Sequence, residues 1–311
     1  MKNNLQAYWF KPAPLLDLAV IRIIAVALQF YLVLNAPMEG FRAFTEFPDV
    51  QFLPLPAMQV LLWVLGIEGN PHYEVIEVVR YIAVISGGLA LIGLATNLSL
   101  GVLAATSVFL NAYWASFDLH HAEALMMFAL VALALSPSGR ALSVDSWLRR
   151  RLWPAKNGAT GQLRRQESEF ARWPILLLQW FFVLMYLSAS YSKMTNGGWE
   201  WMNGYTLQGI LIRDGLRWDS PLAVWFAQFH ILIFALSHIV VLFQATFVLP
   251  VVFPILRWIY VPMGVVFHTM IYLTLKAPFF EWIALYAVFL PWSEILRRLR
   301  LRMGGPVGAT G

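Results

Sequence analysis

Long apolar runs recur along the chain and leave little room for anything else. Leu15–Asn35, Glu77–Thr96, Leu98–Phe117, His120–Ser136, Trp173–Lys193, Pro221–Gln244, Tyr260–Leu275 and Pro278–Trp292 each read as one apolar pass. A helix that crosses a bilayer needs about 20 predominantly apolar residues, so the pattern predicts an all-α, polytopic integral membrane protein with about eight transmembrane helices. The longest polar interval, 137–172, is about 36 residues and falls short of a separate soluble domain of about 50. A single transmembrane domain over 1–311 is therefore expected, with its core at 15–292, a basic loop at 137–172 and a basic tail at 293–311.

Composition strengthens that reading. The chain is 59% hydrophobic and 13% charged, where soluble domains carry about 25% charged residues. Trp9, Phe10, Pro12 and Pro14 precede the first pass and no small-residue cleavage site closes it, so that segment is expected to stay in the protein rather than act as a signal peptide. With no cysteine in the sequence, disulfides, thiolate metal sites and a cysteine nucleophile are excluded.

The net charge of +5 gains meaning from its distribution. Basic residues gather at Lys2 and Lys11, in the run from Arg140 through Arg149, Arg150, Arg151, Lys156, Arg164 and Arg165 to Arg172, and in Arg297, Arg298, Arg300 and Arg302. Met38–Ile76 instead carries Glu39, Glu46, Asp49, Glu68 and Glu74 against Arg42 alone. Eight passes with both termini in the cytoplasm put every basic cluster inside, as the positive-inside rule asks, and a bacterial inner membrane is the expected location. Anionic lipid headgroups account for the basic loop, so membrane lipids are the expected partners and nucleic acid is not.

Two shorter segments stand apart from the passes. Met58–Gly66, an apolar run in the interval Phe41–Gly69 that also holds Pro48, Pro54 and Pro56, is too short to cross and is expected to lie on or dip into the outer face. Ser143–Leu152 alternates apolar and basic residues at helical spacing, which suits an interfacial helix anchored by Trp147 and Trp153. Lys156–Gly161 reads as a flexible break, and no internal repeat stands out.

Ionisable residues in or beside apolar passes are expensive and are functional suspects. Here they are Asp17, Arg22, Glu77, Arg80, Asp118, His120, His121, Glu123, Lys193, His230, His238, His268, Lys276 and Glu281. Asp17, Lys276 and Glu281 lie near pass ends, where a side chain can snorkel to water. Arg22 with Asp17 or Glu77 suits a structural ion pair between helices. The cluster Asp118, His120, His121 and Glu123 pairs Asp118 with His121 and His120 with Glu123 at helical three-residue spacing. It lacks the HExxH pattern and no metal is expected there. A capping aspartate with hydrogen-bonded histidines is one reading, and a proton-relay or substrate-orienting role is the other.

The stretch YLSASYSKMTNGGWEWMNG carries the densest polar chemistry. Lys193 follows Tyr186, Ser190 and Ser192, and Asn196, Gly197 and Gly198 form a turn before Trp199 and Trp201. The ammonium could snorkel at the interface. In an aromatic pocket with Tyr191, Trp199 and Trp201, burial would instead favour the neutral amine, a base.

These residues resemble the lysine-then-tryptophan motif of the HTTM domain, the membrane domain shared by vitamin K-dependent gamma-carboxylase and its bacterial relatives. The histidine-bearing segment DLHHAE and the FHTMIYLTLKAPFFEW segment with His268 resemble two further stations, in matching order over roughly 15–292. The resemblance implies a catalytic set of Lys193, His121 and His268, with His120 and Asp118 nearby, and reduced vitamin K, menaquinol or a similar quinol as cofactor. In the carboxylases the lysine deprotonates the quinol, oxygen addition generates a strong base, and a glutamate carbanion captures carbon dioxide. The sequence also departs from that family: it ends nineteen residues after Trp292, the interval from Lys193 to Trp199 is one residue longer, and DLHHAE replaces an asparagine-histidine arrangement. A quinol-dependent oxygenase or carboxylase acting on a small or lipid substrate is the enzyme expectation. A non-enzymatic lipid- or partner-binding protein and a small-solute transporter are the alternatives.

Overall fold

A computed structural model describes residues 2–117, 124–152 and 167–303, and helices dominate it. The two-residue antiparallel contact of Ala13–Pro14 with Glu167–Ser168 is the strand pairing among the described residues. Among the described residues five helices are long and apolar enough to span a membrane: Leu15–Leu34, Tyr73–Ile92, Thr96–Ala115, the stretch Glu169–Met202 and Pro254–Leu275. A sixth span is available if Pro221–Ala227 and His230–Ala245 count as one, but these two helices meet at 101°.

Against the eight passes expected, five or six helices of spanning length are present among the described residues. Ala124–Ala134 and Phe280–Phe289 are apolar helices of intermediate length. At about 1.5 Å rise per residue, eleven residues reach about 16 Å, roughly half the hydrocarbon core. Asp118–Glu123, which the expected pass from His120 partly includes, lie outside the described residues.

The structure divides into two compact units, one comprising Met1–Ile175 with Pro291–Gly311 and the other Leu176–Leu290. In the first unit, the Leu15–Leu34 helix buries Leu18, Ala19, Ala25 and Val26, and Arg22 is fully buried with them. Arg22 pairs with neither Asp17 nor Glu77. Its Nη1 donates to the Ser138 carbonyl at 3.0 Å and its Nη2 to the Leu142 carbonyl at 2.6 Å, so backbone oxygens replace the expected carboxylate. Gly93 makes this possible: it ends the Tyr73–Ile92 helix at φ +72°, and a Cβ there would stand 2.4 Å from Ser143 Cβ and 3.0 Å from Arg22 Nη1. Asp17 instead accepts from the Ser293 amide at 2.6 Å, satisfying a free N–H at the start of the Trp292–Met303 helix. Arg80 donates to the Val33 and Leu34 carbonyls and closes the C-terminal end of the Leu15–Leu34 helix.

The short Pro56–Leu65 helix buries Met58 and Leu62 and exposes Val60, Trp63 and Val64, the one-sided burial expected of a segment that lies on the unit rather than through a bilayer. Val144–Leu152 is helical, with Trp147 exposed and Arg151 stacked on its ring, while Trp153 and Lys156–Gly161 lie outside the described residues.

Candidate functional site

The second unit is built around aromatic side chains that enclose a short polar chain. Tyr186, on the Arg172–Ser192 helix, is 2% exposed, His268, on the Arg257–Leu275 helix, is 3% exposed and Tyr286 is 1% exposed. The Tyr186 hydroxyl lies 2.7 Å from His268 Nε2 and also hydrogen-bonds the Tyr286 hydroxyl. Phe182, Phe243, Phe247, Trp282 and Phe279 pack around the three.

Room for this chain comes from one missing side chain. Gly264 stands one turn before His268 on the same helix face, and a Cβ there would lie 2.0 Å from the Tyr286 hydroxyl and 2.2 Å from its Cζ. Nothing larger than glycine fits while Tyr286 reaches Tyr186. His268 Nδ1 is buried without a hydrogen-bond partner. A buried imidazole nitrogen of this kind costs free energy unless something accepts or donates there. The arrangement therefore offers a polar guest one nitrogen, backed by two hydroxyls through which a proton can be passed.

Lys193 follows Tyr186 by seven residues, which places it on the same helix face about 10 Å further along. Ser190, between them on that face, is buried and donates to the Val241 carbonyl at 3.4 Å. Lys193 is half-buried; its Nζ donates to the Ala189 carbonyl at 3.3 Å and sits 5.4 Å from the centre of the buried Trp201 ring, within cation–π range. It forms no ion pair among the described residues. A π-helical turn over Lys193–Gly197 carries the chain onward to Gly198, whose φ of +50° starts the Gly198–Met202 helix. A π turn is how a helix absorbs one extra residue.

Other expected site residues fall elsewhere. Tyr191 is 71% exposed and Trp199 75% exposed, so neither walls a pocket around Lys193; Trp201 alone of the three faces it. One residue on a helix turns a side chain by about 100°, which separates Tyr191 from the face that Ser190 shares with Tyr186. Asp118, His120 and His121 lie outside the described residues. Among the described residues no group of three His, Asp or Glu side chains could hold a metal ion. Lys276 is exposed, as snorkelling asks, but Glu281 is 4% exposed with Oε2 unpartnered, which overturns its assignment to a water-facing pass end. Tyr286 carried no signal in the sequence beyond being an aromatic in an apolar run.

The HTTM domain family matches the chain over residues 11–294, nearly its full length. The chain belongs to the HTTM domain family. With its long apolar helices, this makes it an integral membrane protein. No curated protein and no solved structure matches it.

Proposed function

We propose that this HTTM protein is a membrane enzyme that uses a reduced quinone, with Lys193 taking the quinol proton and His268 holding the ring's polar edge. One observation supports the reading above the others: a half-buried lysine amine without an ion pair shares a helix face with Tyr186 of a buried His–Tyr–Tyr chain in which His268 Nδ1 has no partner. A protein that needed only an interfacial anchor gains nothing from burying three hydrogen-bonding groups in an aromatic shell.

The residues fit such a guest. A naphthoquinol is flat, apolar and carries two acidic hydroxyls, and the second unit supplies aromatic faces, an unpartnered imidazole nitrogen and an amine. A lysine can accept a phenol-like proton and cannot remove one from unactivated carbon, so oxygen and carbon-acid chemistry would come from the bound quinol. The protein's own part is to bind the ring among Trp282, Phe279 and neighbouring aromatics, to exclude water, and to hold a proton on Lys193 Nζ. Tyr186 and Tyr286 fix the orientation of the His268 ring. A role for His120 and His121 rests on family resemblance. The same reading takes the location to be a bacterial inner membrane with both termini in the cytoplasm, because that arrangement collects the basic clusters on one side.

The test is reconstitution of the protein with reduced naphthoquinone and oxygen, with and without bicarbonate and a glutamyl peptide, followed by mass spectrometry for the epoxide. Wild type is expected to form it. Lys193→Arg, which keeps charge and reach but cannot lose its proton, is expected to lose about 10²–10⁴-fold in rate. Equal rates in the two proteins remove Lys193 from the chemistry, and a folded wild type that forms no epoxide with any of these additions overturns the reading.

A further inference from the structure

A second polar feature lies in the first unit. A cavity of about 400 Å³ opens beside Asn97, Ser136, Arg140, Asp145 and Arg149, a volume in the range of small-ligand sites. We propose that it binds an anionic phospholipid, with Arg140 and Arg149 holding the headgroup phosphate.

Most polar groups of the cavity are already committed to the fold. Asn97 Nδ2 donates to the Ala134 and Ser136 carbonyls at 2.6 and 2.8 Å. Asp145 accepts from the Ala95 and Thr96 amides at 2.8 and 2.7 Å and from the Thr96 hydroxyl at 2.7 Å. These bonds occupy the Ala95 and Thr96 amides at the start of the Thr96–Ala115 helix and set a carboxylate there, so the helix end is not what would hold an anion. Arg140 and Arg149 are exposed, and among the described residues their guanidinium groups donate no hydrogen bond and close no ion pair. Two guanidinium groups against one carboxylate leave the lining with a net charge of +1 and donors to spare. Paired guanidinium groups match the oxygens of a phosphate better than any other side chain does.

The rim decides between a lipid and a soluble phosphate. Leu135 is 74% exposed and Phe170 57% exposed, and both line the cavity. Asn97 stands in the first turn of a helix of membrane-spanning length, which sets the cavity at headgroup depth, and the neighbouring Val144–Leu152 helix exposes Trp147. Exposed apolar side chains beside two arginines at this depth suit acyl chains below a phosphate; a soluble anion has no use for them.

Native mass spectrometry of the detergent-purified full chain, titrated with phosphatidylglycerol or phosphatidylcholine, tests this. One phosphatidylglycerol is expected to be retained in preference to phosphatidylcholine. The Arg140→Ala/Arg149→Ala variant should bind it roughly 30-fold more weakly, since two basic charges near an anionic surface each contribute about a factor of five. Arg150→Ala/Arg151→Ala removes the same charge from side chains engaged with Ser146 and Trp147, and should change binding less than threefold. Equal losses in the two variants, with both melting like wild type, would make the attraction general and overturn the site. Inorganic phosphate and glycerol phosphate at millimolar concentration should fail to displace the lipid; displacement by either at equal concentration to the lipid overturns the lipid assignment.

Discussion

Gly264→Ala puts the polar chain of the second unit directly at risk. The added methyl carbon would lie 2.0 Å from the Tyr286 hydroxyl, and ordinary contact begins near 3.4 Å, so the phenol must retreat by about 1.4 Å. The Tyr286 ring is closely packed by Phe182 and Phe247 and has no open side to retreat to. Overpacking of this kind costs about 1–3 kcal/mol, and the lost Tyr186–Tyr286 hydrogen bond adds about 1 kcal/mol. Replacing a helical glycine by alanine returns about 0.5–1 kcal/mol, so a net loss of about 2 kcal/mol is expected. SDS titration of the purified protein in mixed micelles measures it. Gly101→Ala is the control: it is also helical, has nothing within 4 Å of the added carbon, and should be neutral or slightly stabilising. In a Tyr286→Leu background the same Gly264→Ala change should cost less than half as much, because the colliding ring is gone. Gly264→Ala proteins as stable as Gly101→Ala, or an undiminished cost in the Tyr286→Leu background, would refute the packing argument.

Other outcomes follow from the first unit and from the charge bias. Burial raises the pKa of Asp145, but hydrogen bonds from Thr96 and Ala95 and the charge of Arg149 outweigh it and hold the carboxyl below its ordinary 3.8. A depressed carboxylate stabilises the folded state above its unfolded pKa and stops doing so as pH falls through the folded value. Asp145→Ala should therefore cost about 2 kcal/mol at pH 7, and the gap to wild type should close only below about pH 3.8 in thermal melts; a gap that closes between pH 5 and 7 contradicts the assignment. Single cysteines at Arg151 and Asn196, both exposed in a chain without native cysteine, report topology through an impermeant thiol reagent on intact cells. Labelling is expected at 196 and not at 151, and the reverse result sinks the cytoplasmic placement of the basic loop.

Where the sequence was legible, a local signal existed. Leu15–Leu34, Tyr73–Ile92 and Thr96–Ala115 are twenty-residue apolar helices, and their ends fall near Pro14, Gly93 and Ala95. The 101° break within Pro221–Ala245 had no such mark, because Gln228 and Phe229 are neither glycine nor proline. It is held from a distance: Gln208 donates to the Ala227 carbonyl at 2.6 Å and pairs with His230 Nδ1 at 3.0 Å. The site divides in the same way. Lys193, Trp201 and His268 announce themselves as polar or aromatic punctuation in apolar segments. Tyr286 does not, since its partnership with Tyr186 depends on Gly264 a helix away, and exposure of Tyr191 and Trp199 depends on which side of a helix each occupies. Arg22 was visible as a suspect, but its carbonyl partners at Ser138 and Leu142 lie more than a hundred residues on.

The claim that the second unit holds a reduced quinone between Lys193 and His268 is tested most directly by photolabelling. The purified protein is irradiated with an azido-naphthoquinol under anaerobic conditions, with and without excess unlabelled naphthoquinol, and digested for peptide mass spectrometry. The account predicts label on peptides spanning residues 182–201 or 264–286 that disappears with competitor, and weaker labelling in Gly264→Ala. Competed label confined to other segments, or none at quinol concentrations that saturate other membrane quinone enzymes, would contradict it.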